Sequence, residues 1–161
     1  MMPPKSAVVD AWRAVLTHRL QTLLSSQDDA RSGTRVDGEH RPSNRGERAA
    51  VTSQGYLAHA FGERAVALQA SLDQLEDMGL GPRDEVVVGA LLEVELNDGE
   101  PQLLAILPGG DATLIQVESR AITVLSAASP LARQLRHAEP GEVLEVDMGP
   151  RVVEAHLTRI D

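Results

Sequence analysis

The chain has 161 residues, no cysteine and a formal net charge of −9. That length suits one compact domain or two small ones, and the missing thiol excludes disulfides, thiolate nucleophiles and cysteine-zinc sites. The acidic balance disfavours a dedicated duplex-DNA binder, whose surface is basic.

Hydrophobic residues make up 42% of the chain, so a folded core is expected. Trp12, Tyr56 and Phe61 are the only aromatics, so that core is aliphatic. The opening "MMPPKSAVVDAWR" has too short an apolar run for a signal peptide. No apolar run approaches the ~20 residues that span a bilayer. A cytoplasmic protein with no membrane partner is expected.

Over residues 6–28, Val9, Trp12, Leu16, Leu20 and Leu23 recur at steps of three and four, which places one apolar stripe on a helix. Val15 and Leu24 widen it. Pro3 and Pro4 precede the start, with Ser6 as N-cap. Asp28 and Asp29 are expected to end this helix in water. Over 44–78, Ala58, Phe61, Ala65, Leu68, Leu72 and Leu75 alternate the same steps, the pattern of a coiled-coil seam. Gly55 and Gly62 weaken it by about 1 kcal/mol each relative to alanine. Two helices with facing seams predict an antiparallel hairpin over 1–79, its tip at about 29–46. Trp12 and Phe61 are then expected to pack inside that hairpin. A hairpin that satisfies its own seam permits a monomer.

"GLGPRD" (79–84) stops the second helix, and the period then changes to that of strands. Strands are predicted at 85–96, 102–108, 112–117, 121–126, 142–148 and 151–160, with turns at "NDG", "PGGD", "EPGE" and "GP". One short helix, "SPLARQLRHA" (129–138), interrupts them, with Ser129 as N-cap, Pro130 at the first position and Leu131 and Leu135 buried. The second domain, 80–161, therefore reads as a small, mainly antiparallel sheet with a helix across one face. The fold class is α+β.

This order of elements, and the run "ITVLSAASPLARQLRHAEPGEVLEV" (122–146) in particular, resembles the Gre family of bacterial transcription elongation factors, GreA and GreB. "VVVGALLEVEL" (86–96) is similar to the family's entry strand, and "GERAVALQASLDQLEDM" (62–78) to the base of its second hairpin helix. The resemblance implies an FKBP-like sheet domain docking at the rim of the RNA polymerase secondary channel. It implies a coiled coil that enters the channel, where tip acids help hold a second magnesium ion and the backtracked transcript is cleaved. The polymerase would be the enzyme and this chain an accessory factor without a cofactor of its own, meeting the nascent RNA 3′ end indirectly.

Carried over residue by residue, Glu47 falls on the family's tip Glu and Asn44 on its tip Asp, so half of the acidic pair is replaced by a neutral amide. Asp37 and Glu39 are the other tip acids that could serve. Between residues 27 and 48, Asp28, Asp29, Asp37, Glu39 and Glu47 are balanced by Arg31, Arg35, Arg41, Arg45 and Arg48. Guanidinium groups neutralise neighbouring carboxylates and compete with a metal, and they equally suit RNA phosphate. The bland reading of this charged, Pro/Gly-broken run is a solvated loop. Polymerase docking would use Ser129, Pro130, Leu131 and Arg133. The alternatives are a cleavage-deficient Gre-like modulator or inhibitor, a peptidyl-prolyl isomerase, or a general protein-interaction module. No nucleophile triad or phosphate loop is present to suggest a stand-alone enzyme.

Overall fold

A computed structural model describes residues 1–34 and 45–161. The elements run α1 (Lys5–Thr34), α2 (Arg45–Asp77), β1 (Leu91–Leu96), β2 (Gln102–Ile106), β3 (Asp111–Val117), β4 (Arg120–Leu125), α3 (Pro130–Leu135), β5 (Glu142–Met148) and β6 (Arg151–Ile160). An N-terminal helical hairpin thus precedes a six-stranded sheet with one short helix, as the periodicity predicts. The chain divides into two compact units, Met1–Ala14 with Leu72–Asp161, and Val15–Ser71.

The first helix starts one residue before Ser6. The N–H groups of Ala7 and Val8 bond the carbonyl of Pro4, so the cap is not the serine hydroxyl. It also runs past 28: Asp28 and Asp29 lie on its exposed side, where charge costs nothing, and Ala30 behind them is buried. In the helical unit, Leu16, Ala58 and Ala65 are buried and Phe61 and Leu68 half-buried, so the seam is the packed face.

The sheet order is β3-β4-β2-β1-β6-β5. All neighbours pair antiparallel except β2 and β4, which run parallel, with Leu103 beside Ile122 and Ile106 beside Leu125. The cause is the connection 107–110. After β2 the chain crosses the end of β4, the Leu107 N–H bonding the Leu125 carbonyl at 2.9 Å, and only then begins β3. Residues 85–90, expected as strand, form turns instead, with Gly89 at φ 93°. Leu92, Val94, Leu104, Ile106, Val146, Ala155 and Leu157 build one core with Ala132 and Leu135 of α3, and Leu131 is only half-buried at its edge.

Trp12 differs from expectation. It is fully buried in the sheet-containing unit, and its Nε1–H donates to the Pro108 carbonyl at 2.9 Å. Lys5 is buried in the same unit, donating to the Gly81 carbonyl at 2.7 Å with Asp161 Oδ1 at 3.9 Å. Burial holds its pKa below 10.5; Arg83 adds to the lowering and Asp161 opposes it. The unfolded chain therefore keeps its proton to higher pH than the folded one. Stability then rises with pH as it climbs from the folded pKa towards 10.5. Urea midpoints of the wild-type chain and Lys5→Met, compared from neutral to alkaline pH, should shift in favour of wild type over that window; a pH-independent difference would refute the assignment.

Glu118 begins the two-residue turn between Val117 and Arg120 with φ 56°. A side chain there crowds its own backbone, which glycine avoids. Glu118→Gly should raise the unfolding free energy by about 0.5–1 kcal/mol after the greater freedom of the unfolded glycine is counted. Glu118→Ala, which keeps the Cβ, should leave the thermal midpoint nearly unchanged, and an equal gain from alanine would rule out backbone strain.

Candidate functional site

Two places carry the residues singled out by sequence, one in each compact unit. In the helical unit Glu47 stands in the first turn of α2, exposed to solvent. A carboxylate there is favoured by the positive end of the helix dipole. Arg45 and Arg48 flank it, both exposed, and the Thr52 hydroxyl donates to the Arg48 carbonyl one turn on. Asp37, Glu39 and Asn44 lie outside the described residues. Among the described residues no three His, Asp or Glu side chains are grouped to hold a metal. Glu47 by itself therefore does not make a magnesium site, since that ion takes several oxygens in near-octahedral geometry.

In the sheet unit the Ser-Pro start of α3 forms as the sequence predicts. Ser129 is extended (φ −60°, ψ 147°), and its side-chain oxygen accepts the Ala132 N–H at 3.2 Å. Pro130 occupies the first helical position, where its missing N–H is no loss. Buried Ala132 and Leu135 turn the helix so that Pro130 and Arg133 face solvent with half-buried Leu131 and Ser129 beside them. Ser129, Pro130, Leu131 and Arg133 thus share one end of a short, rigidly capped helix. A guanidinium beside an apolar rim suits a protein partner carrying a carboxylate.

No protein-family model and no curated protein matches the sequence. Among the solved structures that resemble it are three Gfh1 structures. They are GreA factor homolog 1 (Gfh1) of Thermus thermophilus, 18% identical over 91% of this chain and 94% of that one, with a TM-score of 0.38; Gfh1 of Thermus aquaticus, 18% identical over 89% and 92%, with a TM-score of 0.39; and a structure described as the transcription factor Gfh1, 18% identical over 93% of each chain, with a TM-score of 0.39. Values this low say nothing of what this chain binds.

Three features were not read from the sequence. The helical unit has an open groove of ≈ 930 Å³ between α1 and α2, lined by Leu20, Leu24, Gln27, Gly62 and Val66 among others. Its signal was Gly62, which sits under the Gln27 amide; that amide donates to the Ala58 carbonyl at 3.2 Å. In the sheet unit Gln134 pairs with the backbone of Asp147, donating to its carbonyl at 3.1 Å and accepting its N–H at 2.7 Å. The third is a like-charged pair, Glu145 opposite Glu154 across β5 and β6. Each depends on side chains distant in sequence. No helix among the described residues is long and apolar enough to cross a membrane.

Proposed function

We propose that this protein is a Gre-type accessory factor of a bacterial RNA polymerase, acting at the secondary channel from the cytoplasm as a monomer, with an FKBP-like sheet domain. The observation that supports the reading is the Gre-like run 122–146. It occurs as a strand, a Ser-capped helix with proline at its first position, and the first strand of a hairpin, in a chain that begins with a helical hairpin. The sheet unit docks on polymerase through Ser129, Pro130, Leu131 and Arg133, and the hairpin brings Glu47 towards the active centre. One carboxylate adds at most one oxygen ligand to a magnesium ion that polymerase itself holds. The chain is not an enzyme and needs no cofactor of its own. Duplex DNA is not its partner, and nascent RNA is met only inside the polymerase.

Asn44 at the family's Asp position, and arginines equal in number to the acids over 27–48, favour a second reading: a modulator that occupies the channel without efficient cleavage. Prolyl isomerisation fits poorly. Trp12 is the one aromatic of the sheet unit, and it is fully buried, so no exposed ring lines a proline pocket there.

Transcript cleavage in backtracked complexes of a bacterial polymerase tests both readings. Cleavage that falls at least about tenfold in Glu47→Ala, a loss of about 1.4 kcal/mol of transition-state stabilisation, supports cleavage assistance. Absent cleavage with competition against a Gre factor, weakened by Arg133→Ala, supports the modulator. Failure to bind core polymerase at micromolar concentration overturns both.

A further inference from the structure

Strand β5 is one edge of the sheet, and of its outward-pointing residues only Asp147 finds a hydrogen-bond partner among the described residues. The geometry follows from its hairpin. Met148 and Arg151 flank the two-residue turn Gly149-Pro150, with Gly149 at φ 68° as a type II′ turn requires. Flanking residues of such a turn bond each other, and antiparallel pairs then alternate. Met148, Val146 and Leu144 therefore bond across to β6, while Asp147, Glu145 and Val143 aim their N–H and C=O away from the sheet. Gln134 proves the direction at Asp147. Its amide donates to the Asp147 carbonyl and accepts the Asp147 N–H, as a seventh strand would. No group among the described residues does this for Val143 or Glu145.

The same three residues put their side chains on the face away from the core. Val143 is 56% exposed and Val152, opposite Asp147, 62%. Glu142, Glu145 and Asp147 give β5 three acids and no base. Glu145 stands directly opposite Glu154, an arrangement that is destabilising by itself. Arg133 of α3 and its C-cap Arg136 are exposed, and no salt bridge among the described residues joins them to these acids. An edge of this composition repels a second copy of itself, because acid would meet acid, and it matches a cationic strand.

We propose that the β5 edge at Val143 and Glu145 is a docking site for an extended basic segment of another protein, added to the sheet as a further strand. Backbone pairing supplies the hold, and alternate Lys or Arg side chains beside Glu145, Glu154 and Asp147 supply selectivity. Gln134 ends the site by occupying the next outward position. This surface differs from the Ser129–Arg133 helix end and does not depend on the polymerase reading.

The test titrates the isotope-labelled full chain with the acetylated, amidated peptide Lys-Val-Arg-Val-Lys-Val, followed by backbone amide shifts. Saturable shifts centred on Val143 and Glu145 are expected. Affinity should fall at least about tenfold in Glu145→Lys and on raising salt, because the attraction is screened. The same peptide with alternate amides N-methylated should lose binding, since it cannot pair on the edge. Lack of saturation up to about 1 mM, equal binding by Glu-Val-Glu-Val-Glu-Val, or retained binding by the methylated peptide would each overturn the proposal. Far-UV circular dichroism of Glu145→Lys checks that the sheet is intact.

Discussion

Trp12→Ala is expected to lower the unfolding free energy by about 3–5 kcal/mol, as removal of a fully buried large side chain does. Two losses combine. The indole leaves a cavity in a unit that holds no other Trp, Tyr or Phe, so no second large ring can slide in to fill it. The Pro108 carbonyl also loses its donor, which costs about 1–3 kcal/mol if water cannot reach it. Trp12→Phe separates the terms: it restores most of the volume and none of the hydrogen bond, so it should lie between wild type and alanine. The chain has one tryptophan, so unfolding must be followed by far-UV circular dichroism in urea rather than by fluorescence. A loss below about 1 kcal/mol for Trp12→Ala would contradict the burial and the bond.

This residue also shows where sequence reading stops. Its place on the apolar stripe of α1 was legible from spacing, because helical period alone decides which side chains share a face. Its partner was not. An apolar stripe states that something covers it, without naming what, and the nearest candidate in sequence was the second helix. The acceptor is the Pro108 carbonyl, 96 residues away. The sheet behaves likewise. Alternation located every strand, although the first was expected from 85 and β1 begins only at Leu91, and Asn97 and Asp98, at φ 50° and 54°, occupy the turn expected from "NDG". Strand order was not legible, because period two records the faces of a strand and not its neighbours. Consecutive strands usually lie side by side, and β4 breaks that habit by returning between β2 and β3.

The candidate site divides on the same line. The α3 end was readable because it is local: serine, proline and two apolar residues within seven positions determine both the cap and the buried side. The exposed edge of β5 was not, since an edge is defined only by what fails to pair with it. Glu145 and Glu154 are nine positions apart in sequence and looked like ordinary surface acids until the hairpin put them opposite each other.

Gly110→Ala should be the most damaging single methyl group in the sheet unit, at about 3 kcal/mol, the upper end of overpacking costs. A Cβ on Gly110 would stand 2.2 Å from the Leu125 carbonyl carbon, 2.4 Å from its oxygen and 2.5 Å from the Ser126 nitrogen. All three are backbone atoms, so no rotamer change relieves the clash. Leu125 is also paired with both Ile106 and Asp111, so moving it disturbs β2, β3 and β4 together. Gly141→Ala is the control: its Cβ would meet nothing within 4 Å, and only its φ of 93° opposes a side chain. That conformational cost is about 1–2 kcal/mol, so thermal unfolding should rank Gly110→Ala clearly below Gly141→Ala. Equal midpoints would mean that the crossing over β4 is not tightly held. Gly110 and the acceptor of Trp12 lie in the same four-residue connection, so Trp12→Ala and Gly110→Ala should couple. If either change already releases the loop, the double variant loses less than the two single losses added, by at least about 0.5 kcal/mol in a double-mutant cycle. Strict additivity would show that Trp12 and Gly110 hold the sheet independently, and that the parallel β2–β4 pair does not rest on a single crossing.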